Sequence, residues 1–359
     1  TNVVRSPFFS ATSFHQTTEA EWLVERSNPG KWADFESDKF MMQVPRSWIY
    51  NYDYTNAVKV MQDWDKAMDA VSDLMGRPEI MPKTVMYAQP DVLYRTTVNA
   101  PGYPMSNDPY NPNNSENGNK DIYFLTGPQD SAWTTLHELG HAQSFTKFTG
   151  ETESAVNLLY VAVMNQKFGV PLGTALGESI GNAANANINL TQAALSWILP
   201  NKFRAGQTMD DSDMKYQHRG HAKYVEIAYL FGWDALSNFW YSVNVDYEHG
   251  ISYPINTDPT DSRILRMSQA AGVDLRPLLH MWGVHPVNAA NLKASIQNAG
   301  LKPSVLIYNR LKAYQGIVPL TLTQFRSNYN KVHGTLSATD KAWYEDMYNN
   351  YTADIGYAS

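Results

Sequence analysis

The sequence predicts an α+β fold, with a small mixed sheet in the first part of the chain and a mainly helical second lobe. A strand-like run at 39–44 is ended by Pro45 and preceded by a Ser-Asn-Pro-Gly turn at 27–30. From residue 222 onward, apolar residues recur at helical spacing instead. The chain has 359 residues, of which 43% are hydrophobic, so it can bury a large core.

Helical periodicity predicts the individual helices. A helix at 56–75 carries a row of apolar residues on one face and ends at Gly76. The members of that row are Val60, Trp64, Met68 and Val71. Further helices are predicted at 222–243, 261–271, 275–282 and about 337–351. A short strand at 121–125 is predicted to lead through Gly127-Pro128 into the next helix and to offer an edge for an extended peptide.

Composition excludes several classes of function. The net charge is −7 and no basic run occurs, which argues against nucleic acid and anionic membrane surfaces as partners. No stretch approaches transmembrane length, so membrane insertion is not expected. Cysteine is absent, which excludes disulfides and a thiol nucleophile and limits any metal ligands to nitrogen and oxygen.

The segment WTTLHELGHAQSF at 133–145 carries the most specific chemical signal. His137 and His141 are four residues apart, so on a helix they share one face and can bind the same ion. Glu138 is rotated off that row, which suits a general base that acts on a water molecule. An apolar stripe and two possible N-cap residues support the helix. These are Leu136, Leu139, Ala142 and Phe145, with Asp130 or Ser131 as the cap.

A catalytic zinc ion has three protein ligands and an open position, so a third ligand is expected downstream. Residues 151–169 predict a second helix that Gly169 ends, and Glu151 and Glu153 both lie in its first turn. We favour Glu153, because Asn157 lies four residues on, where its amide could hold a ligand histidine. Glu151 stays the alternative, although the helix dipole alone favours acidic residues in a first turn.

The whole chain, 1–359, is predicted to form a single catalytic unit, since no internal repeat or long linker interrupts it. Within it, we expect an N-terminal β-rich part at 1–58 and a lobe with the metal-binding helix at 59–170. A mainly helical lobe at 171–359 completes the unit.

Several stretches resemble the zinc metallopeptidases that include viral enhancins and bacterial mucin-directed proteases, a branch of the gluzincins. The family pattern His-Glu-x-Gly-His matches HELGH at 137–141, and its downstream glutamate and asparagine match Glu153 and Asn157. Further similar stretches are NPGKWADFESDKFMMQVP at 28–45, APGYPM at 100–105, YVEIAYLFGWDALSNFW at 224–240 and VDLRPLLHMWGV at 273–284. The chain departs from the family at Lys31, in place of a proline, and at Asp34, in place of a glutamate.

This resemblance implies a gluzincin-type fold and a Zn2+-dependent endopeptidase that cleaves mucin-type proteins near an O-glycosylated Ser or Thr. It also implies a secreted, periplasmic or cell-surface protein. The chain begins at Thr1 without methionine, which fits removal of a signal peptide and equally fits a trimmed fragment.

Aromatic side chains are candidates for contacts with sugar. Most of the 22 tyrosines, 10 tryptophans and 13 phenylalanines are expected to pack in the core or on the surface. Trp133, Tyr103 and Tyr110 lie before or beside the metal-binding helix and are the candidate sugar platforms. The run YQHRGHAKY supplies candidates for contacts with the substrate or its oxyanion, unless these are solvated residues at a helix start. They are His218, Arg219, His221 and Tyr224.

Two rival functions stay open. A zinc peptidase without a glycan requirement would cleave an unglycosylated peptide as fast as its O-glycosylated twin. A noncatalytic glycoprotein-binding protein could keep the same fold. Such a binder would have no need of Glu138, which the sequence retains.

Overall fold

The protein has the α+β fold that its sequence predicts, with a mixed sheet and many helices in the computed structural model. The structure describes residues 3–76, 86–90, 99–100, 105–107, 125–131, 133–143, 148, 150–179, 189–198, 203, 205–209, 220–249, 260–321, 323–324 and 327. None of the helices in these ranges is long and apolar enough to cross a membrane.

Six strands of the described chain form one mixed sheet. They are β1 (Phe8–Ala11), β2 (Trp32–Ser37), β3 (Phe40–Pro45), β4 (Met86–Pro90), β5 (Asn99–Ala100) and β6 (Met105–Asn107). Their order across the sheet is β1-β2-β3-β4-β6-β5. The pairs β2/β3 and β5/β6 are antiparallel, and the other three pairs are parallel. The strand predicted at 39–44 is confirmed as β3.

The hairpin of β2 and β3 turns one apolar face towards the core. Side chains alternate between buried and half-buried along β2 and along β3 as far as Val44, as the two-residue period of a strand requires. Phe35 pairs with Met42 across the hairpin. The buried Phe40 ring stacks on Trp64 with ring centroids 4.4 Å apart, so the long helix of Trp64 lies on this face of the sheet.

The helices of the N-terminal part are α1 (Glu19–Glu25) and α2 (Tyr54–Leu74). The helix predicted at 56–75 is therefore confirmed, and the four apolar residues of its predicted face are buried. Gly76, just after α2, has φ +63°, the left-handed conformation that glycine provides at a helix end.

Two short helices lead into the candidate site, α3 (Pro128–Ser131) and α4 (Trp133–Gln143). Gly127 has φ +84° and Pro128 then begins α3, whose backbone includes Asp130 and Ser131. Their predicted capping of α4 depends on side chains that lie outside the described part of the structure, so it stays a prediction. Helix α4 contacts β5 and β6, which places it at one end of the sheet. The predicted strand at 121–125 falls outside the described residues except for Leu125, which lies in a turn.

The single helix predicted at 151–169 is wrong, because the structure has two helices there. They are α5 (Thr152–Ala155) and α6 (Leu158–Phe168). The backbone N–H of Asn157 donates to the carbonyl of Ser154 at 3.1 Å, three residues back, whereas an α-helix would use the carbonyl four residues back. The predicted end is confirmed, since Gly169 follows α6 with φ +69°.

Eight further helices form the remaining described part of the chain. They are α7 (Leu172–Glu178), α8 (Leu190–Ile198), α9 (Ala222–Phe231), α10 (Trp233–Glu248), α11 (Thr260–Ala271), α12 (Arg276–Met281), α13 (Ala289–Asn298) and α14 (Val305–Ile317). The helices predicted at 261–271 and 275–282 are confirmed as α11 and α12. The single helix predicted at 222–243 is wrong, because Gly232 adopts φ +82° and separates α9 from α10. The helix predicted at 337–351 lies outside the described residues.

The chain divides into two compact units. The first comprises Thr1–Asp73, Arg77–Ser144 and Ala162–Gly169, and it contains the sheet and α4. The second comprises Leu74–Gly76, Phe145–Val161 and Val170–Ser359, and it contains α7 to α14. Its core is built around the fully buried Trp197, Trp240 and Trp282. The predicted single catalytic unit with parts at 1–58, 59–170 and 171–359 stays a prediction.

Candidate metal centre

Helix α4 places two histidines side by side. His137 and His141 are one turn apart, and their imidazole Nε2 atoms are separated by 3.1 Å. The rings meet edge to face at 78° with centroids 4.8 Å apart. The buried Leu136 and Leu139 hold this part of the helix against the core. Two nitrogen atoms at this separation can both bind one zinc ion, whose bonds to imidazole nitrogen are about 2.0–2.1 Å long.

A carboxylate joins the two histidines. One ligand atom from each of His137, His141 and Glu153 lies within 4.8 Å of the other two. Glu153 is exposed and lies in the first turn of α5. Two imidazole nitrogens and one carboxylate oxygen form a donor set of catalytic zinc sites, which keep a fourth position open for water. The residues present therefore fit a zinc ion.

Glu138 lies next to His137 on α4 and is half-buried. It is rotated by about 100° around the helix from that histidine, off the row that His137 and His141 form. A carboxylate beside a metal site that is not itself a ligand can accept a proton from water. This position suits the predicted general base.

Asn157 fixes the backbone of the residue that carries the third ligand. It is 1% exposed, and its side-chain amide donates to the carbonyl oxygen of Glu153 at 3.1 Å. The side chain thereby makes the bond that the backbone N–H of Asn157 would make in a continuous helix. The predicted contact from this amide to a ligand histidine stays a prediction.

Glu151, the alternative third ligand, belongs to a buried ion cluster. Its Oε1 atom lies 2.9 Å from Lys223 Nζ and 3.0 Å from Arg263 Nη1, and Tyr224 donates its hydroxyl to Oε2 at 2.6 Å. Burial would raise the pKa of Glu151, but Lys223, Arg263 and the Tyr224 hydroxyl together hold it below its ordinary value. The contacts in this cluster, rather than the helix dipole or a metal ion, explain why a charged carboxylate is buried at Glu151.

Two members of the ion cluster were missed by the sequence reasoning. Lys223 is 2% exposed within the apolar helix α9, and burial lowers the pKa of its ammonium group. A lysine inside an apolar helical run is a signal of a buried ion pair. Arg263, the second missed member, carries no such signal, because it is 112 residues from Glu151 in the sequence.

Most predicted substrate contacts are not placed at the metal centre. Tyr224 is buried against Glu151, and His221 is buried with its Nε2 atom 2.9 Å from Ser179 Oγ. Burial argues against direct contact of these two side chains with a substrate. The other candidates lie outside the described residues; they are Tyr103, Tyr110, His218, Arg219 and the side chain of Trp133.

The α+β fold and the His-Glu-Leu-Gly-His helix are together typical of peptidases, a class of hydrolases. The sequence model of one peptidase family matches residues 2–283, most of the chain. The chain therefore belongs to the family Peptidase M60, enhancin and enhancin-like. The resemblance to enhancins found in the sequence is confirmed.

A curated relative is longer than this chain. The TRPM8 channel-associated factor homolog of Danio rerio is 26% identical over 303 residues. The match covers 81% of this chain and 29% of that protein. The chain thus spans less than a third of the length of this relative.

Solved structures of similar fold include two bacterial proteins. A metallopeptidase from Bacteroides thetaiotaomicron has a TM-score of 0.56 and 16% identity over 84% of this chain and 52% of that one. IMPa from Pseudomonas aeruginosa, solved in complex with an O-glycopeptide, has a TM-score of 0.54 and 14% identity over 83% of this chain and 39% of that one. At these identities, the likeness concerns the fold.

Proposed function

We propose that this chain is the catalytic part of a zinc endopeptidase that cleaves O-glycosylated, mucin-type proteins near a glycosylated Ser or Thr. One observation carries the proposal. The ligand atoms of His137, His141 and Glu153 lie within 4.8 Å of one another, and Glu138 follows His137 directly in the sequence. Membership of a peptidase family supports the same reaction.

His137, His141 and Glu153 would hold the metal ion in this site. A zinc ion held by three such ligands would supply Lewis acidity, which favours attack of water on a peptide carbonyl near neutral pH. Asn157 steadies the backbone of Glu153, and the buried face of α4 fixes the two histidines. The chain thus contributes preorganised ligands, whose geometry does not have to be assembled by the substrate.

Glu138 would move the proton during peptide hydrolysis. Its carboxylate takes a proton from the attacking water and then delivers it to the nitrogen of the leaving amine. Glu138 follows His137 directly in α4, so the two residues belong to the same turn of the helix. A half-buried carboxylate retains access to water, which this role requires.

The choice of a glycosylated substrate is supported by the family and by one neighbour. IMPa, which shares the fold, was solved with an O-glycopeptide. A substrate of that kind occurs outside the cytoplasm, so we also propose that the protein acts in a secreted, periplasmic or cell-surface setting.

The test uses a defined O-glycopeptide and its unglycosylated twin, each incubated with the zinc-loaded protein and followed by mass spectrometry. A parallel sample contains a chelator. We expect cleavage of the glycopeptide alone, and no cleavage in the chelator. Equal cleavage of both peptides would mean that the protein is a zinc peptidase without a glycan requirement. Cleavage of neither peptide would favour a glycoprotein-binding role.

A further inference from the structure

The first unit contains a pocket that is separate from the residues of the metal centre. Its volume is about 640 Å³, within the range of about 300–1,000 Å³ that is usual for small-molecule sites. The 3₁₀ turn Arg46–Trp48, the segment after it and the first turns of α2 form its wall. The side chains that characterise the described lining are Trp48, Tyr50, Tyr52, Asn51, Asn56 and Lys59.

Aromatic rings give this pocket flat apolar surfaces. Trp48 is half-buried, and Tyr50 is 55% exposed, so both rings are accessible to a ligand. Tyr50 is held by the guanidinium of Arg46, which lies 5.1 Å from the ring centroid. Tyr52 is fixed because its hydroxyl donates to the carbonyl of Leu125 at 2.7 Å. Rings held in this way can stack on the apolar face of a pyranose at little cost in ordering.

Amide groups supply the polar complement to these rings. Asn51 and Asn56 both line the pocket, and an amide offers two donors and an acceptor to sugar hydroxyl groups. Asn56 donates its Nδ2 to Asp53 at 2.8 Å, which fixes its orientation and leaves its carbonyl oxygen able to accept. Aromatic faces beside an oriented amide suit the apolar face and the hydroxyl groups of a pyranose.

Charged groups of both signs lie beside the pocket. Lys59 lies 2.8 Å from the buried carboxylate of Asp63, and Lys66 lies 2.9 Å from the other oxygen of that carboxylate. Asp53, which accepts from Asn56 Nδ2 at 2.8 Å, is a second carboxylate beside the lining, so the two acids balance the two ammonium groups. None of the described lining residues is acidic. Lys59 is the one charged side chain among the described lining residues, so its ammonium group can also pair with the carboxylate of an acidic sugar.

The pocket adjoins the segment that leads to the metal centre. Leu125 and Thr126 belong to its lining. Thr126 lies 11 residues before His137, and α3 and α4 form most of the chain between them. With about 1.5 Å per helical residue and 3.8 Å per remaining step, these two residues are at most about 26 Å apart. An extended peptide covers that span with about eight residues.

We propose that this pocket is a saccharide subsite, which takes a neutral or acidic pyranose from a glycan about eight residues or fewer from the cleavage position. The substrate class would then be proteins with clustered glycans. The identity of this substrate rests on the proposed function, whereas binding of the sugar itself requires no cleavage.

The test measures binding of two methyl glycosides, of N-acetylgalactosamine and of N-acetylneuraminic acid, to the whole chain by saturation-transfer NMR and calorimetry in a chelator. We expect both sugars to bind, and Trp48→Ala and Tyr50→Ala to weaken both about tenfold. Lys59→Met should weaken the acidic sugar alone. The matched control is Tyr308→Ala, which removes a tyrosine that is 61% exposed in the second unit and should leave binding unchanged.

The subsite is ruled out if neither sugar binds, if neither pocket variant weakens binding, or if Tyr308→Ala weakens it equally. Tyr50 is mostly exposed, so its variant tests the site even where loss of Trp48 disturbs folding. Cleavage of the glycopeptide is measured separately. Sugar binding without cleavage contradicts the proposed function, and cleavage without binding in this pocket contradicts the subsite.

Discussion

Asn157 donates its side-chain amide to the backbone carbonyl of Glu153, across the break between α5 and α6. A continuous helix would place Glu153 in a regular turn, with its carbonyl bound by a main-chain N–H. Here the buried Asn157 side chain makes that bond, and the backbone N–H of Asn157 bonds to the carbonyl of Ser154 instead. The conformation of a proposed metal ligand therefore depends on a residue that need not touch the metal.

Replacing Asn157 tests this dependence. In Asn157→Ala, the Glu153 carbonyl loses its partner, and we expect zinc affinity to fall about tenfold or more, with a loss of about 1–3 kcal/mol in the free energy of unfolding. Competition with a chromophoric chelator measures the affinity. Asn309→Ala, at an exposed position of α14, is the matched control and should bind zinc like the wild type. Unchanged affinity in Asn157→Ala would show that Glu153 is placed by other contacts.

Glu151 and Glu153 are two residues apart and should respond in opposite ways to the same substitution. Glu151→Gln leaves the buried Lys223 and the partly buried Arg263 without their carboxylate, which costs about 3–5 kcal/mol of unfolding free energy. Glu153→Gln changes an exposed side chain, so it should weaken zinc binding and leave the metal-free protein about as stable as wild type. Urea denaturation in a chelator and zinc titration measure the two effects.

The double variant Glu151→Gln/Lys223→Met provides the internal check on the ion cluster. It removes one buried cation together with the carboxylate, so it should recover part of the lost stability. A double variant less stable than Glu151→Gln would mean that Lys223 stabilises the fold through contacts other than this ion pair.

Glu138→Ala separates metal binding from proton transfer. The variant keeps all three proposed ligands, so we expect a full zinc content by atomic absorption. Loss of the general base should reduce glycopeptide cleavage by at least about 10²–10⁴-fold. Glu19→Ala, at an exposed position of α1, controls for the loss of a surface carboxylate. Wild-type cleavage by Glu138→Ala would falsify the assigned role of Glu138.

Local sequence patterns predicted the features that depend on residue spacing within a single helix. The spacing of His137 and His141 predicted one helical face, and the apolar row of α2 predicted its buried side. The patterns failed at Asn157 and Gly232, where a side-chain hydrogen bond or a positive φ interrupts an unbroken apolar period. Periodicity records which residues are apolar, whereas these interruptions depend on the conformation of single residues.

The ion cluster around Glu151 shows a second limit of prediction from sequence. Its carboxylate has the same sequence signal as Glu153, an acidic residue in a first helical turn. What distinguishes the two is the presence of Lys223 and Arg263, which only the tertiary fold brings to Glu151. The ligand atom of Glu153 lies within 4.8 Å of those of His137 and His141, and its role as the third ligand stays a prediction. The contact that Asn157 makes to the Glu153 backbone was not foreseen.

His285 should make stability depend on pH. Its ring lies 4.2 Å from that of His280, and burial together with the neighbouring His280 lowers the pKa of His285, although a backbone hydrogen bond opposes the shift. The unfolded chain therefore binds more protons than the folded protein in the range just below the ordinary pKa of about 6.5. In this range the free energy of unfolding rises with pH. Above about pH 6.5 the rise due to His285 ends, because the ring is neutral in both the folded and the unfolded chain.

Urea denaturation between about pH 5 and 8 checks this dependence by comparing wild type with His285→Gln. The variant cannot bind the proton, so the difference between the two unfolding free energies should change steadily below about pH 6.5, with the wild type losing stability as the pH falls. His280→Gln removes one cause of the lowered pKa and should reduce the slope without abolishing it. Parallel pH profiles for wild type and His285→Gln would mean that this histidine has the same pKa in the folded and unfolded chain.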